Sequence, residues 1–160
     1  MRVVVGYNRR LLPTLKLGRR GLFARLARGA LKRVAAASGN APAEAGRTGE
    51  DAAYWYLRER GFTMVARNYR ARGGEVDLIG WEGGTLVFVE VKARTGRVRN
   101  PEDAVDRGKR RRLAAAARDY RRRSNTDAAY RFDVVSVLLQ DDGEPEVEHF
   151  RDAFQEEQEA

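Results

Sequence analysis

Two acidic residues and a lysine occupy neighbouring strand-like segments in the middle of the chain. Asp77 lies in an apolar run before Gly83 and Gly84, and Glu90 and Lys92 lie in the apolar run after them. A Gly-Gly pair between two such runs predicts a two-residue β-hairpin. Asp77 then faces Glu90, and opposite side chains have Cβ atoms about 4.5–5.5 Å apart. Two carboxylates at that distance predict a site for a divalent cation, Mg²⁺ or Mn²⁺.

The alternation of side chains along each strand places the charged residues on one face of the hairpin. On the later strand, one face carries Leu86, Phe88, Glu90 and Lys92, and the other carries Val87, Val89 and Val91. On the earlier strand, the front face carries Glu75, Asp77 and Ile79, and the back face carries Val76 and Leu78. The other residues of these strands are apolar and are expected to be buried in the core. Charged side chains there need an oppositely charged partner or a bound metal, because burial of an unpaired charge is costly.

A cross-strand salt bridge is the alternative explanation for these charges. The same hairpin register places Glu75 opposite Lys92, which could pair at a solvated end of the sheet. Ion-pair networks of this kind are common at positions without any function. Spacing alone therefore leaves both a metal site and a simple salt bridge open.

The order of motifs in the wider sequence resembles that of a known group of nucleases. An Asp followed by Glu-x-Lys on the next strand is the signature of the PD-(D/E)xK nuclease superfamily. The match is more specific to the YraN-type family, small bacterial proteins placed in that superfamily near Holliday-junction resolvases. It extends over about residues 46–153, and its matching stretches are Gly49–Ala53, Gly61-Phe62, Arg67–Arg70, Gly74–Ile79, Val87–Arg94, Lys109-Arg110 and Arg131–Val135.

The resemblance implies roles for particular residues. Asp77, Glu90 and the Val91 carbonyl would hold Mg²⁺ or Mn²⁺, and Lys92 would lie beside the nucleophilic water. Glu50, early in the first helix, would approach the metal, although an acidic residue there also compensates a helix dipole. Glu75 would support the site from outside the metal ligands, or would pair with Lys92 or an arginine.

Basic residues flank the acidic ones and suit contact with phosphate groups. The candidates for nucleic-acid binding are Arg67, Arg70, Lys109 and Arg110. Lys109 is also expected near the site, because the family has a lysine there. A solvated helix face is the alternative for the arginines around Arg110, since exposed arginines on helices are ordinary.

Charge is distributed unevenly along the 160 residues, which carry a net charge of +8. Residues 1–43 contain ten basic residues and no acidic one, whereas residues 133–160 contain one basic and ten acidic residues. We therefore predict a basic extension over 1–45 that is disordered or weakly helical, a nuclease-like domain over 46–153 and an acidic tail over 154–160. No apolar run approaches the ~18 residues of a membrane span, and the absence of cysteine fits a reducing cytoplasm.

The expected fold is α/β, with a mixed central sheet flanked by helices in the restriction-endonuclease-like order αβββαββ. The first helix is predicted to begin at Thr48, where Asp51 completes a capping box, and to end before Gly61. The remaining predicted elements are strands at 62–69, on either side of Gly83-Gly84, at 131–139 and at 146–150, and a helix from 101 or 102 to 123.

These observations predict a metal-dependent endonuclease that acts on branched or otherwise structured DNA. A homodimer would suit a junction that has two strands to cut. The alternatives are a non-catalytic nucleic-acid-binding module that keeps the fold, and an interaction protein that uses its basic arm and acidic tail. His149 has no partner motif in the sequence, so we do not expect a catalytic role for it.

Overall fold

The structure, a computed structural model, describes residues 15–16, 41–94, 105–140 and 145–156. Within these residues, no helix is long and apolar enough to cross a membrane. The predicted turn at 141–143 and most of the predicted arm lie outside the described part of the chain.

The described residues form one mixed sheet with a helix on each face. The elements are β1 (Leu15–Lys16), α1 (Ala41–Glu59), β2 (Thr63–Ala71), β3 (Gly74–Glu82), β4 (Thr85–Arg94), α2 (Arg107–Arg123), β5 (Tyr130–Leu138) and β6 (Glu146–Phe154). The sheet order is β1-β6-β5-β4-β3-β2, in which β4 and β5 are parallel and all other neighbours are antiparallel. From α1 onwards the order is αβββαββ, so the predicted fold class is confirmed.

Two apolar clusters hold the helices against the sheet. Under α2 the cluster includes Val76, Ile79, Leu86, Phe88, Leu113 and Phe132. Under α1 it includes Ala53, Tyr56, Leu57, Leu78, Val87 and Val89. The alternating faces predicted for β4 are confirmed, because Leu86 and Phe88 face α2 whereas Val87 and Val89 face α1.

The helix α1 begins earlier than the capping box predicts. It starts at Ala41, so Thr48 is a buried residue inside the helix and not its N-cap. Pro42 lies in the first turn, where a missing N–H costs no helical hydrogen bond. The predicted end is confirmed: Gly61, with φ of 88°, follows the helix and its N–H donates to the Arg58 carbonyl at 3.1 Å.

The arm also departs from prediction at one point. Leu15 and Lys16 form a two-residue strand that pairs with Val147 and Glu146 at the edge of β6. The prediction of a disordered or weakly helical extension over 1–45 therefore does not describe these two residues. A pair this short has no recognisable alternation, which is why the sequence pattern did not show it.

The second helix is shorter than predicted at its N-terminus. The Asp106 side chain accepts a hydrogen bond from the Lys109 amide at 2.8 Å, and Asp106 has extended backbone angles. It is therefore the N-cap, and the helix begins at Arg107 instead of 101 or 102. The face of α2 that packs on the sheet buries Leu113, Ala114, Ala116 and Ala117.

The β3–β4 hairpin has the predicted register near its turn. Leu78 pairs with Val89 and Glu82 pairs with Thr85, and Gly83 has φ of 57°. The hairpin ladder ends at Leu78 and Val89, so it does not continue to Asp77. Beyond this point β3 continues only along β2, and β4 continues along β5.

The predicted faces of β3 change at Asp77. Val76 joins the cluster under α2 and Leu78 joins the one under α1, although two-residue spacing predicts a shared face. On the neighbouring strand, Tyr69 pairs with Val76 and Asn68 has φ of 50°. The left-handed backbone at Asn68 shifts the alternation of β2 by one residue, and β3 follows its partner.

Candidate functional site

The candidate site lies where β3 and β4 separate. The Val91 amide donates a hydrogen bond to Oδ2 of Asp77 at 2.7 Å, one step beyond the last hairpin pair. This hydrogen bond uses Oδ2 of Asp77 and not Oδ1. The backbone of β4 therefore fixes one Asp77 oxygen at the point where the two strands separate.

Glu90 is almost fully buried beside this point, with 3% of its side chain exposed. Lys92 Nζ donates to Glu90 Oε1 at 2.7 Å. Lys109 Nζ lies 3.1 Å from Oε2, which is ion-pair distance. Within the described chain, however, Oε2 is buried and accepts no hydrogen bond. One oxygen of Glu90 is thus satisfied and the other is held only by charge.

A glycine contact sets the position of Lys109. A Cβ atom at Gly74 would lie 2.1 Å from the Arg112 carbonyl oxygen, so only glycine lets α2 cross this closely. Lys109 lies one turn before Arg112, and its side chain reaches from α2 to the sheet. This geometry places the Lys109 amine beside Glu90.

A second glycine contact sets the position of Glu50. A Cβ atom at Gly49 would lie 2.4 Å from Cβ of Ala93, so α1 packs closely on the end of β4. Glu50 follows directly, and its Oε2 accepts a hydrogen bond from Asn68 Nδ2 at 2.9 Å. Asn68, the residue of β2 with left-handed backbone angles, therefore directs its side chain towards Glu50.

The acidic residues perturb one another electrostatically. Burial raises the pKa of Asp77, the Glu90 carboxylate raises it further, and the pKa reaches about 7. The hydrogen bond from Val91 and the charge of Lys109 oppose this shift, and Glu50 adds to it. A carboxyl group whose charge is disfavoured in this way gains from a bound cation.

Glu75 is not placed as the hairpin register predicts. Its Oε1 lies 3.7 Å from Lys109 Nζ and its Oε2 lies 3.8 Å from Arg70 Nε. Lys92 instead pairs with Glu90. Of the alternatives left open for Glu75, the structure shows pairing with an arginine and not with Lys92, because the hairpin ladder ends before it reaches Glu75 or Lys92.

The four candidate nucleic-acid ligands differ in their surroundings. Arg70 has 80% of its side chain exposed. Arg67 donates to Asp51 and lies 5.1 Å from the centre of the Tyr54 ring. Arg110 donates to the Val105 carbonyl at 2.9 Å and lies 5.4 Å from the Phe154 ring centre. Arg67 and Arg70 are thus the exposed members, and Lys109 faces the acidic site.

The donor set suits one Mg²⁺ or Mn²⁺ ion. Among the described residues, no three Asp, Glu, His or Cys side chains are grouped to hold a metal, so Glu50 does not complete such a cluster. Mg²⁺ is commonly held by one or two carboxylates, with water and substrate phosphates completing its coordination. Asp77 and Glu90 fit that requirement, because they are two neighbouring carboxylates and Oε2 of Glu90 accepts no hydrogen bond within the described residues.

A buried network on the α1 side is a feature that sequence reasoning missed. The carboxylate of Asp133 accepts hydrogen bonds from Arg131 Nε at 2.9 Å and the Asp152 amide at 2.9 Å. Its Oδ2 also lies 2.8 Å from His149 Nε2. Burial alone would raise the pKa of Asp133, but the hydrogen bonds from His149 and Arg131 lower it overall. His149 has no local motif, and the stretch Arg131–Val135 does not identify a partner for Asp133, since the pair forms only when β5 and β6 align.

The sequence is similar to a set of bacterial proteins that share one description. Residues 49–137 match the family described as "Uncharacterised protein family UPF0102". A UPF0102 protein of Solibacter usitatus is 55% identical over 117 residues, which cover 71% of this chain and 87% of the relative. UPF0102 proteins of Koribacter versatilis and Anaeromyxobacter dehalogenans are 46% and 50% identical over 68% of this chain, and over 78% and 82% of their own. The chain therefore belongs to the UPF0102 family, the YraN-type family that its motifs resemble.

Proposed function

We propose that this protein is a metal-dependent endonuclease of the PD-(D/E)xK superfamily that hydrolyses phosphodiester bonds in branched or otherwise structured DNA. The observation that carries the proposal is that the Asp77 and Glu90 carboxylates lie close together where β3 and β4 separate, with Lys92 beside Glu90. The raised pKa of Asp77 supports it, because it reflects two carboxylates close together in a buried place.

Asp77, Glu90 and the Val91 carbonyl would hold the metal, Mg²⁺ or Mn²⁺. When bound, the metal would supply charge neutralisation at the phosphate and lower the pKa of a water molecule. The Val91 amide holds Asp77 in place through Oδ2, and Lys92 holds Glu90 through Oε1. These contacts leave the other oxygen of each carboxylate for the metal.

Lys92 is the residue that we assign to the reacting phosphate. Its side chain is 27% exposed, so its amine reaches the buried carboxylate while part of the side chain remains open to an incoming ligand. A positive charge at this position would stabilise the negative charge that develops on the phosphate oxygens. Glu50, held by Asn68, would orient water on the α1 side of the site.

Nucleic acid would approach from the side of Arg70, which is exposed next to Glu75. A cytoplasmic location and a homodimer are parts of the same proposal, since the substrate lies in that compartment and a junction has two strands to cut. Basic residues exceed acidic ones by 31 to 23 in the whole chain, which favours a polyanionic partner.

A cleavage screen tests the proposal. The full chain is incubated with Mg²⁺ or Mn²⁺ and with four-way junction, flap, single-stranded and duplex DNA. We expect cleavage of a branched substrate, and we expect Glu90→Gln and Asp77→Asn to lose it by at least about 100-fold. Glu82→Gln is the matched control, because Glu82 is a partly buried carboxylate paired with Arg131 and Arg151 outside the site.

Two results would contradict the proposal. Cleavage that survives in Glu90→Gln would come from another protein or another site. Salt-sensitive binding without cleavage of any substrate would instead assign the fold to a non-catalytic nucleic-acid-binding module.

A further inference from the structure

We infer that Lys109 and a divalent cation compete for Glu90, so that metal loading moves Lys109 from Glu90 to Glu75. The inference rests on the proposed function, because it describes how the same site takes up its metal. It gives Lys109 a role distinct from contact with nucleic acid.

The Glu90 charge is already compensated before any metal arrives. A buried carboxylate is costly unless it is paired, and Glu90 has 3% of its side chain exposed. Lys92 and Lys109 supply two positive charges, at 2.7 and 3.1 Å from its two oxygens. A metal that binds Glu90 must therefore replace one of these lysines or tolerate both.

The two lysines are held differently, and the difference identifies the one that leaves. Lys92 belongs to the same strand as Glu90 and makes an aligned hydrogen bond to Oε1. Lys109 comes from α2 and lies near Oε2, which accepts no hydrogen bond within the described residues. Oε2 is thus the oxygen open to a metal, and a cation there would lie close to the like charge of Lys109.

Glu75 provides a second position for the Lys109 amine. Its Oε1 lies 3.7 Å from Lys109 Nζ, so a small rotation of the lysine side chain exchanges one carboxylate for the other. Glu75 has 53% of its side chain exposed, whereas Lys109 has 17% exposed. Movement towards Glu75 therefore carries the Lys109 amine away from the buried Glu90 oxygen and towards the exposed side chain of Arg70.

Metal binding to the full chain without DNA tests the inference. Mn²⁺ is titrated calorimetrically into the metal-free wild type and into Lys109→Met, with Lys109→Gln as a second neutral variant in case one packs poorly. We expect each neutral variant to bind Mn²⁺ about tenfold more tightly, because the competing charge is gone. Lys109→Arg keeps the charge and is expected to stay within about threefold of wild type.

Arg70→Gln is the matched control for loss of one positive charge near Glu75. Arg70 Nε lies 3.8 Å from Glu75 Oε2, but its side chain is 80% exposed. Solvent screens charges at such positions, so this variant should change Mn²⁺ affinity by less than about threefold. If Mn²⁺ affinity rises more in the Lys109 variants than in Arg70→Gln, the rise reports competition at Glu90 and not a general change in the electrostatic potential around the site.

A double-mutant cycle tests the part assigned to Glu75. Glu75→Gln should weaken Mn²⁺ binding about three- to tenfold in the wild-type background, because Lys109 loses its second partner. In the Lys109→Met background the same substitution should have less than about a twofold effect. An equal effect in both backgrounds would mean that Glu75 acts on the metal directly, and the exchange would be refuted.

The outcomes separate this inference from the proposed function. If the neutral Lys109 variants bind Mn²⁺ no more tightly than Arg70→Gln while wild type cleaves DNA, the inference fails and the nuclease proposal stands. If Mn²⁺ binds as expected but no DNA is cleaved, the inference stands and the nuclease proposal fails. If no variant binds Mn²⁺ and none cleaves, both fail.

Discussion

The Asp77 carboxylate accepts a hydrogen bond from the Val91 backbone amide at 2.7 Å, just past the last hairpin pair of β3 and β4. A side chain thus holds two strands together at the place where their backbones stop pairing. The same contact fixes one oxygen of Asp77 close to Glu90, whose charge helps to raise the Asp77 pKa to about 7. The end of the ladder is therefore also the place where negative charge accumulates.

Divalent cations should stabilise the folded protein through these two carboxylates. A ligand that binds only the native state adds about 2.7 kcal/mol to the unfolding free energy at 100 times its Kd. We expect Mn²⁺ to raise the Tm of wild type and of Glu82→Gln, and to leave the Tm of Glu90→Gln unchanged. Calorimetric melting with and without Mn²⁺ checks this, and an equal rise in Glu90→Gln would place the ion elsewhere.

The crossing of α2 over Gly74 gives a second prediction. Gly74→Ala would place a methyl group 2.1 Å from the Arg112 carbonyl oxygen, which is backbone and cannot rotate away. We expect a loss of about 1–3 kcal/mol in unfolding free energy, the usual cost of overpacking. Gly84→Ala is the matched control, because a Cβ there meets nothing within 4 Å. Urea unfolding of both variants measures the two losses of unfolding free energy. Equal losses in Gly74→Ala and Gly84→Ala would contradict the close crossing of α2 over Gly74.

The hairpin shows how far the sequence determines the site. The Gly-Gly turn and the alternation of side chains correctly predicted the Leu78–Val89 register and the faces of β4. They did not predict that the β3–β4 ladder ends at Leu78 and Val89, beyond which β3 pairs only with β2 and β4 only with β5. Local patterns describe the two strands of a hairpin, whereas this departure also involves the strands on either side of it.

The partners of charged residues were predicted less well, for a related reason. Lys92 and an arginine were the partners considered for Glu75, but α2 also brings Lys109 within ion-pair distance of both Glu75 and Glu90. His149 was taken as isolated, yet it lies against Asp133. In both cases the partner comes from a different element, and its position depends on packing that no spacing in the sequence encodes.

The Asp133 network predicts a strong dependence of stability on this buried carboxylate. Asp133→Asn leaves His149 without its charged partner and leaves Arg131 paired with Glu82 alone, and removal of one partner of a buried pair costs about 3–5 kcal/mol. We expect a loss of that size in urea unfolding at pH 7. Asp127→Asn, an exposed position, is the control and should change stability by less than about 0.5 kcal/mol.

The pH dependence of the same variant follows from the lowered pKa of Asp133. A lowered folded-state pKa gives stability that is complete above the unfolded value of about 3.9 and is lost as pH falls through the folded value. The difference between wild type and Asp133→Asn should therefore be constant from pH 5 to 7 and shrink below pH 4. A difference that stays constant at pH 3 would contradict the assignment.

The pairing of Leu15 and Lys16 with β6 changes what is expected of the arm. Deletion of residues 1–40 removes this two-residue strand and its few backbone hydrogen bonds, each worth about 0.5–1.5 kcal/mol net. We expect a modest loss of stability, about 1–2 kcal/mol, in urea unfolding of the truncated chain. A loss above about 4 kcal/mol would show that the arm belongs to the core.

The salt dependence of DNA binding should separate Arg70 from Arg110. Each phosphate contact contributes about −0.9 to the slope of log K against log[salt] on duplex DNA. Arg70 is 80% exposed beside the acidic site, so Arg70→Gln should flatten the slope by about that amount. Arg110 donates to Val105 and lies over Phe154, so Arg110→Gln should leave the slope unchanged and lower stability instead. Fluorescence anisotropy with a labelled four-way junction at several salt concentrations measures both slopes. A flatter slope in Arg110→Gln alone would mean that DNA contacts the Arg110 side of α2 and not the Arg70 side. If the protein binds no DNA at low salt, the basic residues of α2 form only a solvated face.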